Sequence, residues 1–94
     1  MFDIRVRENR HILLSGRLDA SQAGRLKSTL NDIDESCTLD FKELEYISSA
    51  GLSVLLATHR RLDEKGHGLK LINLNEHIRN IFQIAGFDLV FDIE

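Results

Sequence analysis

The sequence has no proline, no tryptophan and a single cysteine. With only Cys37 available, no disulfide framework can form, and a lone cysteine behind an N-terminus unlike a secretion signal fits a reducing cytoplasm. Long apolar runs are missing as well. The longest, Ile12-Leu13-Leu14 and Val54 to Ala57, fall far below the roughly 20 residues needed to span a bilayer, so no membrane insertion is expected. Nor is there an excess of charge of one sign. Twelve Lys/Arg stand against fifteen Asp/Glu, a formal net charge of −3, with the signs interspersed. A nucleic-acid or anionic-membrane surface normally requires a basic excess or stripe, so neither partner is expected. No repeat, low-complexity tract or Pro/Ser-rich linker divides the 94 residues. A chain of this size holds one core and buries about 60–65% of its unfolded surface, so residues 1–94 are read as a single domain.

What is present is alternation of two periods. Phe2, Ile4 and Val6 alternate with Asp3, Arg5 and Arg7, as in a half-buried strand. After the polar turn Glu8-Asn9-Arg10, His11 to Ser15 gives a second strand with Ile12 and Leu14 on one face, and the short link favours an antiparallel pair. Asp19 or Ser21 can cap a helix reaching about Asp34, with Ala23, Leu26, Leu30 and Ile33 on its apolar face. Cys37, Leu39 and Phe41 alternate as a third strand, and Lys42 to Tyr46 reads as a polar connection. A second helix starts near Ser49, presents Leu52, Leu55, Leu56, His59 and Leu62, and stops at Gly66-His67-Gly68. Leu69 and Leu71 mark a fourth strand, with Leu74 a candidate third position. Asn75 can cap a third helix with Ile78, Ile81, Phe82 and Ala85 on its buried face and Gly86 as its stop. Leu89, Phe91 and Ile93 alternate as a last strand. The order β-β-α-β-α-β-α-β predicts an α/β fold: a small mixed sheet, antiparallel at its start and parallel thereafter, with helices packed mainly on one face.

Catalytic and ligand patterns are scarce. There is no GxxxxGK[ST] loop, no GxGxxG and no GxSxG elbow. His11, His59, His67 and His77 have no metal-ligand spacing and read as surface or boundary residues. Asp32, Asp34 and Glu35 read as a solvated loop, and Cys37 as a buried, inert thiol. No nucleophile, base and orienting group assemble, so neither an enzyme nor a bound cofactor or metal is expected.

One local feature stands apart, Tyr46-Ile47-Ser48-Ser49-Ala50-Gly51-Leu52, where two hydroxyls precede a helix. Its simplest role is capping, with Ser48 accepting from a first-turn amide. The same place also suits a phosphate on Ser49, because first-turn amides lack intrahelical partners and the helix dipole is positive there. Such a group adds about −1.5 to −2 charges. Ala50 and Gly51 leave room for a partner to approach, so phosphorylation could repel a docked surface and leave the fold intact.

These residues resemble the STAS domain, shared by sulfate transporters and bacterial anti-sigma factor antagonists. Two marks carry the resemblance: Gly16-Arg17-Leu18-Asp19, like the family's G-x-[LI]-D, and Asp40 to Leu52, like D-L-x-x-[LV]-x-[FY]-[MI]-D-S-[STA]-G-L. The resemblance spans essentially the whole chain. It implies a cytoplasmic anti-sigma factor antagonist that binds a GHKL-type serine kinase and anti-sigma factor through Asp19, Ser48, Ser49, Ala50 and Gly51. Phosphorylation of Ser49 would release it, and a PP2C-type phosphatase would restore it. Ser48 stands where the family has aspartate, which removes a carboxylate beside the acceptor and keeps a capping side chain. Asp19 is equally an N-cap. The family usually continues with one more helix, so the resemblance implies a fold lacking that final helix, as a monomer or weak dimer. The alternative is a STAS accessory subunit of a bacterial lipid-transport ABC system that binds its ATPase, since Ala50-Gly51-Leu52 fits that relative equally well.

Overall fold

The computed structural model describes residues 1–94 and contains five strands and three α-helices: β1 (Asp3–Arg7), β2 (His11–Leu18), α1 (Ala23–Asn31), β3 (Cys37–Ile47), α2 (Ser49–Glu64), β4 (Leu69–Ile72), α3 (Glu76–Ile84) and β5 (Asp92–Ile93). The sheet order is β1-β2-β3-β4-β5. β1 and β2 are antiparallel, and every later pairing is parallel. The expected order of elements and the mixed sheet are therefore both found. Strand residues such as Ile12, Leu14, Leu39, Phe41 and Leu71 join Leu26, Leu30, Leu55, Leu62, Ile78 and Phe82 of the helices in one buried cluster. Phe82 meets Phe41 edge-on at 6.2 Å between ring centroids. The other face of the sheet carries Arg5, Arg7, His11, Arg17 and Lys70. No helix is long and apolar enough to cross a membrane.

Three local expectations are corrected. Lys42 to Tyr46 is not a connection but the second half of an eleven-residue β3. Its register against β2 slips twice, between Leu13 and Ser15 and between Gly16 and Arg17, so β3 carries an extra residue at each point. Each bulge shifts the inward positions by one, and the buried apolar residues run Cys37, Leu39, Phe41, Leu44, Ile47. Strict alternation cannot register that spacing. The first helix is shorter than its apolar spacing suggests: a 3-10 turn, Ala20–Gln22, precedes α1, which ends at Asn31. The final alternation is mostly not strand. Gly86, at φ 76°, opens a 3-10 turn over Phe87–Leu89 that leaves Leu89 exposed, and only Asp92–Ile93 pairs with β4. Ile12 and Leu14 share the buried face of β2 as expected, and Leu13, which pairs with Asp40 in the centre of the sheet, is buried on the other face as well.

Buried Asp40 fastens this region. Its carboxylate accepts from the Lys42 amide at 3.0 Å and the Asn73 side chain at 3.1 Å, and pairs with His11 Nε2 at 3.2 Å. The Lys42 amide lies within the first bulge, so the carboxylate supplies an acceptor where the ladder is interrupted. Asn73, at φ 59°, belongs to the turn leading to α3. Burial alone pushes the Asp40 carboxyl up, but the bonds from Lys42, Asn73 and His11 outweigh it and hold the group below the ordinary carboxylate value. Cys37 is buried as expected, and burial pushes its thiol up.

Two glycines are fixed by close approach. Gly16, at φ 82°, lies under the N-terminal segment: a Cβ there would sit 1.5 Å from the Met1 carbonyl oxygen. Gly51 lies where α2 crosses the ends of β2 and β3, and a Cβ would come within 2.9 Å of Leu18 Cγ and 3.0 Å of Ile47 Cγ1.

Two predictions follow from these contacts. Gly51→Ala should destabilise the protein by about 1–3 kcal/mol through overpacking, read as a lower urea midpoint; an unchanged midpoint would show that α2 shifts freely. Asp40→Asn should lose about 1–3 kcal/mol at pH 7. Because the folded carboxyl lies below its unfolded value, its stabilisation is complete above about pH 4 and fades as pH falls through the folded value. The gap between wild type and Asp40→Asn should therefore narrow in urea titrations at about pH 2.5, and an equal gap at both pH values would refute this linkage.

Candidate functional site

The site lies where β2 and β3 leave the sheet. Leu18 pairs with Ile47, so Asp19 and Ser48, the next residue of each strand, emerge side by side at the carboxyl ends of parallel strands, a common location for functional groups in α/β sheets. The Ser48 amide donates to the Leu18 carbonyl at 2.8 Å, extending the ladder by one bond. Ser48 is extended, at φ −88° and ψ 168°, and its Oγ accepts from the Gly51 amide at 3.2 Å. Its carbonyl accepts from Leu52 N at 3.0 Å. Ser48 is thus the N-cap of α2, and Ser49 is the first helical residue.

Their exposure differs in the same sense. Ser48 and Ala50 are half-buried, Gly51 is buried, and Ser49 is exposed. The Ser49 carbonyl accepts from Ser53 Oγ at 3.0 Å, while its own hydroxyl makes no hydrogen bond within the chain. Of the two adjacent serines, one hydroxyl is committed to the fold and the other is free.

Asp19 is also a cap, but of the 3-10 turn rather than α1. Its Oδ1 accepts from the Ser21 amide at 3.1 Å and from Ser21 Oγ at 2.6 Å. The Ser21 hydroxyl is the main reason its carboxyl lies below the ordinary value; the amides of Ser21 and Gln22 and the charge of Arg17 act in the same direction, against partial desolvation. Asp19 remains half-buried, and its turn packs against α2. The five residues singled out in the sequence, Asp19 and Ser48 to Gly51, therefore share one edge of the molecule.

The sequence reading missed a pair beside them. Arg17 and Tyr46 are partners in the β2–β3 ladder, and the Arg17 guanidinium carbon lies 4.4 Å from the centre of the Tyr46 ring. Both belong to the motifs already noted, but only the two bulges bring them opposite each other. A groove of about 310 Å³ opens at the far end of the sheet, beside Ser36, Cys37 and Lys70. A second, of about 260 Å³, runs between α1 and α2 past Lys27 and Ser53.

The family model described as "Mlab, STAS domain" matches residues 4–92. BtrV of Bordetella bronchiseptica is 34% identical over 84 residues, covering 85% of this chain and 72% of BtrV. The anti-sigma-B factor antagonist of Bacillus subtilis is 30% identical over 95 residues, covering 97% of this chain and 87% of that protein. Among solved structures, the Bacillus protein SpoIIAA superposes with a TM-score of 0.75 in its unphosphorylated form and 0.73 in its phosphorylated form. The identities are 16% and 17%, with all of this chain and 87% and 91% of SpoIIAA covered. Element order, sheet topology and both sequence marks agree with this match, and the chain belongs to the STAS-domain family.

Proposed function

We propose that this protein is an anti-sigma factor antagonist working by partner switching. The observation that carries the reading is the division of labour between Ser48, whose hydroxyl caps α2, and Ser49, whose hydroxyl is exposed and unengaged beside Asp19. The relative named anti-sigma-B factor antagonist, similar over nearly the full chain, supports the role. SpoIIAA, described in phosphorylated and unphosphorylated forms, supports a fold that survives the modification.

In this reading the unphosphorylated edge formed by Asp19 and Ser48 to Gly51 docks on a GHKL-type serine kinase that is also the anti-sigma factor, which then lets its sigma factor go. The kinase transfers the γ-phosphoryl group of ATP to Ser49 Oγ. ADP leaves, and the hydroxyl proton passes to a base on the kinase. The resulting dianion is tolerated at the positive end of α2. In the interface it becomes a buried charge without a partner, which is strongly unfavourable. A PP2C-type phosphatase would hydrolyse the phosphoester and release inorganic phosphate. The protein is substrate and ligand here, not catalyst, and it acts in the cytoplasm without a cofactor.

A second reading is favoured by the name of the matching family model: an accessory subunit of a lipid-transport ABC system, docked on the ATPase with no modification required. Paired captures from native lysate separate the two. Wild type and Ser49→Ala should retain a GHKL-type kinase that Ser49→Asp loses; an ABC ATPase retained equally by all three would overturn the switch. Ser48→Ala should cost about 1 kcal/mol of stability through the lost cap while still capturing the kinase, and its failure to be phosphorylated despite normal folding would move the acceptor role from Ser49 to Ser48.

A further inference from the structure

We propose that Arg17, seated over the Tyr46 ring, selects a partner that presents an acidic side chain at this edge. The inference deepens the antagonist reading and rests on it. Arg5, Arg10, Arg25 and Arg61 each have a carboxylate partner. Arg17 makes no ion pair, as Arg7, Arg60 and Arg79 make none, but of these four it alone lies over an aromatic ring. It stands two residues before Asp19, with Tyr46 two residues before Ser48. The guanidinium carbon lies 4.4 Å from the centre of the Tyr46 ring, and the side chain is exposed to an incoming group.

Three arguments converge on an acidic occupant. First, contact with the Tyr46 ring restrains the guanidinium in advance, so less rotamer freedom is lost when a carboxylate docks on its planar fork. Second, arginine and tyrosine are the residue types that most often carry binding energy in interfaces, while an exposed cation–π contact contributes little to folding. Third, the sign of the switch constrains the partner. A basic surface would be drawn to a phosphate on Ser49, whereas an acidic one, attracted by Arg17, is repelled by the new dianion within the screening length of about 8 Å at physiological salt. Release on phosphorylation therefore goes with a carboxylate-bearing partner.

The test is titration calorimetry of the full chain against the purified kinase recovered in the capture experiment, at low and high salt. Arg17→Ala should raise Kd about tenfold and Arg17→Glu about a hundredfold, as for an interface anchor lost and then reversed in charge. Both should flatten the salt dependence of binding, while thermal unfolding stays at the wild-type temperature. Arg60→Glu makes the same charge change at an exposed residue of α2 that is in no ion pair, and should leave Kd within about twofold, as a change outside the interface does. If wild type binds the kinase and Arg17→Glu binds it equally at both salts, the Arg17 assignment alone falls. If wild type binds no such kinase, the antagonist reading falls and this assignment falls with it.

Discussion

The parallel pairing of β2 with β3 is the constraint on which the rest of the molecule depends. The inner faces of both strands contribute to one buried cluster with the helices, and their ladder ends in the register Leu18 to Ile47. That register places Asp19 beside Ser48, and Gly51 closes the corner by letting α2 rest on both terminal side chains. The two extra residues of β3 make the match: in an unbulged register starting at His11 and Thr38, Leu18 would face Glu45 and Ile47 would lie beyond the end of β2, and Leu44 and Ile47 would not both face inward. A buried carboxylate, Asp40, satisfies the amide of Lys42 within the first bulge and ties it to β2 and to the turn before α3. The geometry of the exposed edge is thus set in the interior of the sheet.

Most of this plan was legible in the sequence, because helix and strand periods differ and the caps are chemically explicit. Asn75 accepts from Ile78 N at 2.8 Å, and Ser48 caps α2 as its position suggested. Much of what escaped notice traces to the bulges of β3. A bulge replaces spacing of two with spacing of three, so Leu44 and Ile47 look like scattered apolar residues in a polar stretch. The same shift hides the pairing of Arg17 with Tyr46, since no local pattern states which residues face each other across strands separated by a helix. Asp40 was read only as a motif position. Its burial depends on His11 and Asn73, 29 and 33 residues away along the chain. At the other end, the alternation of Leu89, Phe91 and Ile93 suggested a strand, but Gly86 in a left-handed conformation started a tight turn, and tertiary context overrode the local period.

The candidate site itself divides into parts that stabilise the fold and parts that do not. Ser48, Gly51 and the Ser21-bound carboxylate of Asp19 are engaged in capping or packing. Ser49 and Arg17 make no side-chain hydrogen bond or ion pair within the chain. A surface residue freed from structural duty can be changed or modified with little effect on stability, typically within about 0.5 kcal/mol. That separation is what a protein needs if one of its forms is to be recognised and the other rejected without unfolding in between.

The serine at position 48, where the resemblance to the family motif implies aspartate, fits the same logic. A carboxylate at an N-cap would offset the partial positive charge at the start of α2, a favourable interaction worth about 0.3–1 kcal/mol. Serine satisfies the Gly51 amide without bringing that charge, so the positive end of the helix is left to whatever anion arrives next. On the antagonist reading, that anion is the phosphate on Ser49. It gains from the helix dipole and has no neighbouring carboxylate at position 48 to repel it, so the modified protein is no less folded than the unmodified one. The electrostatic penalty then falls almost wholly on the docked complex. On the same reading the partner must be attracted before it can be expelled, so the cation proposed at Arg17 and a phosphate on Ser49 would act with opposite signs on the same incoming surface, and the free energy between the two bound forms would set how completely phosphorylation releases the partner.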